Sequence, residues 1–373
     1  MSVYTMGAVT ILPSVGLEYR HDDNIFSANQ GQKASDVGVA NSSIAAKISN
    51  DISEGALLYS VEKGTYQSSP EDDYLDQRAG LGFHHAFRRW AIIDLALGQD
   101  QLHEARGQGY SQGKADLLPA PDLYVTDTAN FLFRLGTRRS QGMFESQLAG
   151  TSLRYTTREA QTAGRNNDYI SGRLTYHFNL SSKTSLLAET RYGQYDYINE
   201  TSLIRRDSSE QHYYLGLSWE LSSLSRGSIR VGQQKKIFVD QALMADSSNS
   251  WEMKLFWKPT PLASIKFGTS AKNQESVGMG SHVYSEAGFF AIKNSLTKRL
   301  GMDMSTQITK NSYRPSGRNE LLGAVAAKVI YSSNRWIHLD FGIDHEQRRS
   351  DQAMMNYRRS IVSMGIRISP KDD

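Results

Sequence analysis

The stretch Ile170-Ser171-Gly172-Arg173-Leu174-Thr175-Tyr176-His177-Phe178-Asn179 alternates apolar and polar residues without a break. In a strand, successive side chains point to opposite faces. Ile170, Gly172, Leu174, Tyr176 and Phe178 would therefore meet oil on one side while Ser171, Arg173, Thr175, His177 and Asn179 meet water on the other. The same pattern returns about eighteen times along the chain with no helical period between repeats, too often for a half-buried soluble sheet. It predicts an all-β protein: a transmembrane, antiparallel, up-and-down β-barrel of about 18 strands, lipid outside and water within.

Composition narrows the class further. Across 373 residues the mean hydropathy is −0.50, and no apolar run approaches the roughly 18 residues that a spanning helix needs. A spanning chain of this kind must cross as strands, and only a closed barrel pairs every backbone group within hydrocarbon. The absence of cysteine excludes disulfides, a lipidated cysteine, thiolate metal sites and thiol catalysis. A net charge of +3 is too even for a nucleic-acid partner. Met1-Ser2-Val3-Tyr4 has neither a basic nor an apolar leader region, so a secretory signal peptide is expected to have been removed ahead of it.

Turn chemistry sets the strand count. Short reversals fall at about Ser49-Glu54, Arg88-Arg89, Thr137-Gln141, Ser181-Lys183, Ser222-Arg226, Pro259-Pro261, Asn294-Thr297 and Ser332-Asn334. Longer polar connections lie between them, at about Asp22-Asp36, Gln67-Asp73, Leu102-Pro121, Arg158-Asn167, Ile198-Asp207, Gln241-Ala245, Ser276-Gly280, Ser312-Arg318 and Arg349-Gln352. Eight turns alternating with nine loops give eighteen strands, with both termini on the short-turn, periplasmic side. Residues 1–12 read as a periplasmic lead-in, 13–369 as a single barrel and 370–373 as a tail. Val37 to Ile48 and Gly142 to Thr157 change phase midway, as β-bulges would make them. Trp90, Trp219, Trp257 and Trp336 sit beside short turns, where an interfacial girdle belongs.

A barrel of this size encloses an aqueous lumen. Candidate lumen-lining side chains are Arg134, Arg173, Glu189, Arg191, Glu220, Arg230, Lys254, Lys266, Asp340 and Asp344, of mixed sign with an excess of basic groups. Such a wall holds polar solutes weakly, as conduction requires; alternatively, opposite charges on neighbouring strands simply pair. The longest loop carries Tyr110 and the apolar run Leu117-Leu118-Pro119, which would suit either a constriction folded inward or packing on the rim. His84-His85 would point to opposite faces and cannot chelate one metal. No nucleophile elbow, phosphate loop or zinc signature is present, so neither catalysis nor a metal or other cofactor is expected. Asp22-Asp23-Asn24 and Glu71-Asp72-Asp73 could offer oxygen ligands to Ca²⁺ at loop tips, although such clusters are more often plain turn residues. Asn179-Leu180-Ser181 and Asn199-Glu200-Thr201 match glycosylation sequons, which carry little meaning in a bacterial envelope.

The opening Pro13-Ser14-Val15-Gly16-Leu17-Glu18-Tyr19-Arg20-His21-Asp22-Asp23-Asn24-Ile25-Phe26, followed by Ser35-Asp36, resembles that of the putative β-barrel porin 2 family. Only this hairpin carries a diagnostic motif, in which Asp22, Asp23 and Asn24 stand out. The resemblance implies a bacterial outer-membrane protein of exopolysaccharide and capsule operons: a conduit for a secreted polysaccharide. Its partners would be outer-membrane lipid and lipopolysaccharide, the polymer, and a periplasmic polysaccharide-export protein. Two other readings stay open on the residues alone: a general or substrate-selective diffusion porin for small hydrophilic solutes, and a platform whose loops bind or adhere to a partner.

Overall fold

The computed structural model describes residues 4–6, 9–88, 90–198, 205–276 and 282–370. The proposed loops at Ile198-Asp207 and Ser276-Gly280, the sequon at Asn199, Arg89 and most of the tail fall wholly or partly outside them. The strands are β1 (Tyr4–Met6), β2 (Val9–Asp22), β3 (Ser35–Ser49), β4 (Ser53–Tyr66), β5 (Tyr74–Ala86), β6 (Ala91–Glu104), β7 (Asp122–Leu135), β8 (Gly142–Tyr155), β9 (Asn167–Asn179) and β10 (Thr184–Tyr197). They continue with β11 (Ser208–Ser222), β12 (Ser225–Phe238), β13 (Asp246–Thr260), β14 (Ala263–Glu275), β15 (His282–Ser295), β16 (Leu300–Arg314), β17 (Asn319–Ser332), β18 (Ile337–Ser350) and β19 (Tyr357–Ile368).

Each strand from β2 to β19 pairs antiparallel with the next, and β19 returns to β2 through Val15↔Ile368 to Asp22↔Ile361, closing an 18-strand barrel. Closure leaves no strand edge facing hydrocarbon. β1 pairs with the first residues of β2, Tyr4↔Ile11 to Met6↔Val9, alongside the part of β2 that β19 does not reach. The sheet therefore takes in residues ahead of Pro13: the expected lead-in over 1–12 is partly strand, because Val9–Leu12 pair with β3 as well.

Short turns are held by their own side chains. Asn50 Oδ1 accepts the backbone N–H groups of Ile52 and Ser53 at 3.0 and 2.8 Å, and Asn334 Oδ1 does the same for Trp336 and Ile337 at 2.7 and 3.0 Å. Above them Leu17, Leu174, Leu215, Phe341 and their outward neighbours form the exposed apolar belt that lipid covers. Trp90, Trp219, Trp257 and Trp336 all lie at the turn end of their strands.

The expected bulges in β3 and β8 do not occur. Both strands keep an unbroken register with their two neighbours. Their apolar phase inverts because Val37, Val39 and Tyr155 face inward near the loop end, where folded-over loops bury them. The register shifts fall instead at Glu220/Ser222 and Trp257/Thr260, beside tight turns.

Candidate transport lumen

Cross-strand pairing assigns each inward side chain, since directly paired residues share a face. Thr175↔Glu189↔Tyr214 is one inward row and Arg173↔Arg191↔His212 the next, so the polar half of the alternating β9 stretch is the lumen wall. Arg134, Arg173, Glu189, Arg191, Glu220, Arg230, Lys254 and Lys266 all fall on inward positions of β7 to β14. Asp340 and Asp344 belong to β18, on another part of the wall; Asp340 lies 3.9 Å from Lys328.

Part of the first group is held in ion pairs. Arg191 grips Glu252 with both terminal nitrogens, at 2.7 and 2.9 Å, and donates from Nε to Glu189 at 2.6 Å. Arg230 reaches Glu252 at 3.2 Å, and Arg134 donates to Glu145 at 2.7 Å. Arg191 and Glu252 are separated by β11 and β12. Their bond is a chord across the concave wall, with the Arg191 guanidinium 4.8 Å from the ring of Tyr214 on β11. Glu145 is one of these partners but is absent from the sequence-derived set; it was legible only as the inward pair of Arg134. Glu220 stands apart at the turn end, 3.0 Å from Arg138.

Two features set the loop end apart from the rest of the wall. On one side the Leu102-Pro121 connection crosses the rim. Arg106, buried, donates to Asp72 at 2.7 and 2.5 Å, to Ser69 and Glu71 at 3.1 Å each, and to the Leu118 carbonyl at 2.8 Å, while its guanidinium lies 4.5 Å above the Phe26 ring. Glu104 holds Arg165 of the β8–β9 connection at 2.7 and 3.0 Å. Gly107 has φ +84°, and a Cβ there would come within 1.7 Å of the Phe26 carbonyl oxygen; a Cβ at Gly113 would come within 3.0 Å of the Met354 carbonyl oxygen between β18 and β19. The loop thus packs along the rim against its neighbouring loops. Its anchor is Arg106, which sequence reasoning passed over. Tyr110 lies between Lys114 and Arg165, at 5.0 and 5.9 Å, whereas Leu117 is 72% exposed and Leu118 half-buried.

On the other side, β14 leaves the wall. Its ladder with β13 stops at Trp251↔Ala271. Beyond that point Ser250 Oγ donates to the Ala271 carbonyl at 2.7 Å, Asn273 N donates to Gln234 of β12 at 2.9 Å, and Lys236 of β12 contacts Glu275. Ser250, Gln234 and Lys236 point inward, so the upper part of β14 stands on the lumen side of β13. Lys236, with no exposed surface at all, also donates to Glu210 at 2.9 Å. It occupies the inward phase of Arg226, Arg230 and Gln234, a signal the sequence did contain.

Both acidic loop clusters are taken up by protein partners. Asp22 binds the Arg359 guanidinium and Asp23 accepts the Ser360 N–H at 2.7 Å, both across the seam. Asn24, fully buried, donates to the carbonyls of Ala28 and Arg358 at 2.9 and 2.8 Å and accepts from the Ala28 N–H at 3.0 Å. Asp73 accepts the Tyr66 N–H at 2.7 Å. The Asp22-Asp23-Asn24 motif is therefore a latch that joins the first barrel strand to the last. Asn24→Ala should destabilise the closed barrel by about 2–4 kcal/mol, since buried carbonyls lose their donor. Urea unfolding of detergent-folded protein measures this, and an unchanged midpoint would mean that the strand ladder alone holds the seam. Among the described residues no group of His, Asp and Glu is arranged as metal ligands.

A family model described as Putative beta-barrel porin 2 matches residues 4–369. A search of curated proteins finds no match. Among solved structures, the chain is similar to Pseudomonas aeruginosa OccK2 (OpdF), with 10% identity, 96% of this chain and 98% of that one covered, and a TM-score of 0.51. It is similar to the FrpB iron transporter of Neisseria meningitidis (F5-1 variant, apoprotein form) at 9% identity, covering 96% and 81%, with a TM-score of 0.50. A protein titled bacterial polysaccharide outer membrane secretin aligns over 97% of this chain and 99% of its own at 7% identity and a TM-score of 0.40. At such identities the likeness concerns the fold.

Proposed function

Because the chain belongs to the Putative beta-barrel porin 2 family of outer-membrane barrels, we propose that it is the conduit by which a secreted exopolysaccharide crosses the outer membrane, handed on by a periplasmic polysaccharide-export protein. The observation that carries this reading is the build of the loop end, where an anchored loop packs along the rim and upper β14 steps to the lumen side of β13. A lid latched by a buried arginine and an inward-stepping hairpin suit a passage that opens for a chain of sugars better than one standing open to small solutes. Below them the wall is hydrated and of mixed charge, with many weak contacts available and no single deep trap.

Deletion of the gene should leave polymer in the periplasm while synthesis continues. Surface polymer at wild-type level in the deletion strain would refute the reading. Single-channel recording separates the conduit from a diffusion porin: the wild type should be mostly closed, whereas a large, constitutively open conductance would mark a porin.

A further inference from the structure

The acidic partners on the β7–β14 wall are used up before the basic ones. Glu145 is held by Arg134, Glu189 and Glu252 by Arg191 and Arg230, and Glu220 by Arg138. Arg173, Arg226, Lys254 and Lys266 share the inward face with them, and no carboxylate among the described residues lies within ion-pair distance of any of the four. Buried Arg173 Nε has no hydrogen-bond partner. Four cations without an ion-pair partner on one wall set up a positive stripe that concentrates anions.

Aromatic rings interleave with these cations. Tyr169 and Tyr195 stack with centroids 4.2 Å apart beside Arg173, in a wall recess of about 440 Å³. Toward the turn end Arg226 lies 4.9 Å over Phe256, and Phe289 lies across Gly268, where a Cβ would come within 2.2 Å of the ring; this second recess is about 730 Å³. Lys254 and Arg230 line both recesses, so the two adjoin along the wall.

We propose that this stripe is a binding track for an acidic saccharide, a polymer bearing carboxylates on its sugar rings. Pyranose C–H faces would rest on the tyrosine and phenylalanine rings, and successive carboxylates would meet Arg173, Lys254, Lys266 and Arg226. Arginine suits the first position because its fork can bind a carboxylate through two hydrogen bonds. The inference rests on the conduit reading and specifies its cargo.

Equilibrium dialysis of the full chain in detergent micelles, with a short oligohexuronate and a neutral oligohexose of equal length, tests it. The acidic probe should bind more tightly than the neutral one, and added salt should weaken it. Replacing Arg173, Arg226, Lys254 and Lys266 with Gln together should weaken the acidic probe at least about tenfold and leave the neutral one unchanged. The single variants Arg173→Gln and Lys254→Gln give the same direction should the quadruple one fold poorly. Equal binding of both probes, binding of neither, or variants that bind the acidic probe like the wild type would overturn the track. None of these results touches the conduit reading, which fails only if surface polymer persists without the gene.

Discussion

Arg106→Ala is expected to turn a mostly closed channel into a mostly open one. The side chain is buried, as is Asp72, and its loss would leave the Asp72 carboxylate, the Ser69 hydroxyl and the Leu118 carbonyl without their shared donor. Breaking a buried, hydrogen-bonded ion pair costs about 3–5 kcal/mol, which alters the balance of latched and released lid by about two to nearly four orders of magnitude. Open probability in single-channel records should rise accordingly, and the Gly107–Leu118 segment should become protease-sensitive. Arg106→Lys keeps the charge but loses the planar fork and should fall between the two. Unchanged open probability together with unchanged proteolysis would show that the lid is held by something else. Acid is a poor substitute for the mutation. The backbone N–H of Glu71, the Ser69 hydroxyl and then Arg106 hold the Glu71 carboxyl down at about 2. With its folded value depressed, that arm of the latch acts at and above the ordinary carboxylate range and is lost only as pH falls toward 2.

The second large effect is expected from Lys236→Met. This ammonium is wholly enclosed and bridges Glu210 to Glu275; without it two carboxylates share a dry site. We expect about 3–5 kcal/mol less stability against urea, with the loss concentrated where β14 stands inside β13. A double variant with Glu275→Gln should recover part of it, because the residual repulsion is removed. Full stability of Lys236→Met would mean that the inward step of β14 depends on Asn273 and Ser250 alone.

The alternation in β9, β11 and β18 made the fold readable because hydrocarbon and water impose opposite demands on successive residues over the whole circumference. The same rule misled at β3 and β8. Val37, Val39 and Tyr155 are apolar and inward because loops fold over them, and a single sequence does not show which part of the inner wall is roofed. The lumen residues could be assigned one strand at a time. Their partnerships could not: Arg191 meets Glu252 across two intervening strands, a reach set by the curvature of the wall. Asp22-Asp23-Asn24 was visible as a motif, yet its partners Arg358, Arg359 and Ser360 lie at the far end of the chain. Arg106 carried no periodic signal, since its role is fixed by three separate loops.

The seam latch also orders events during assembly. Asn24 bonds to the Arg358 carbonyl, and Asp22 to the Arg359 guanidinium. Neither contact is complete until the ring has shut. A nascent barrel lacking β19 would therefore be left unsealed along its side, with Asn24 and Asp22 short of their far-end partners, and the last strand to be inserted supplies both at once.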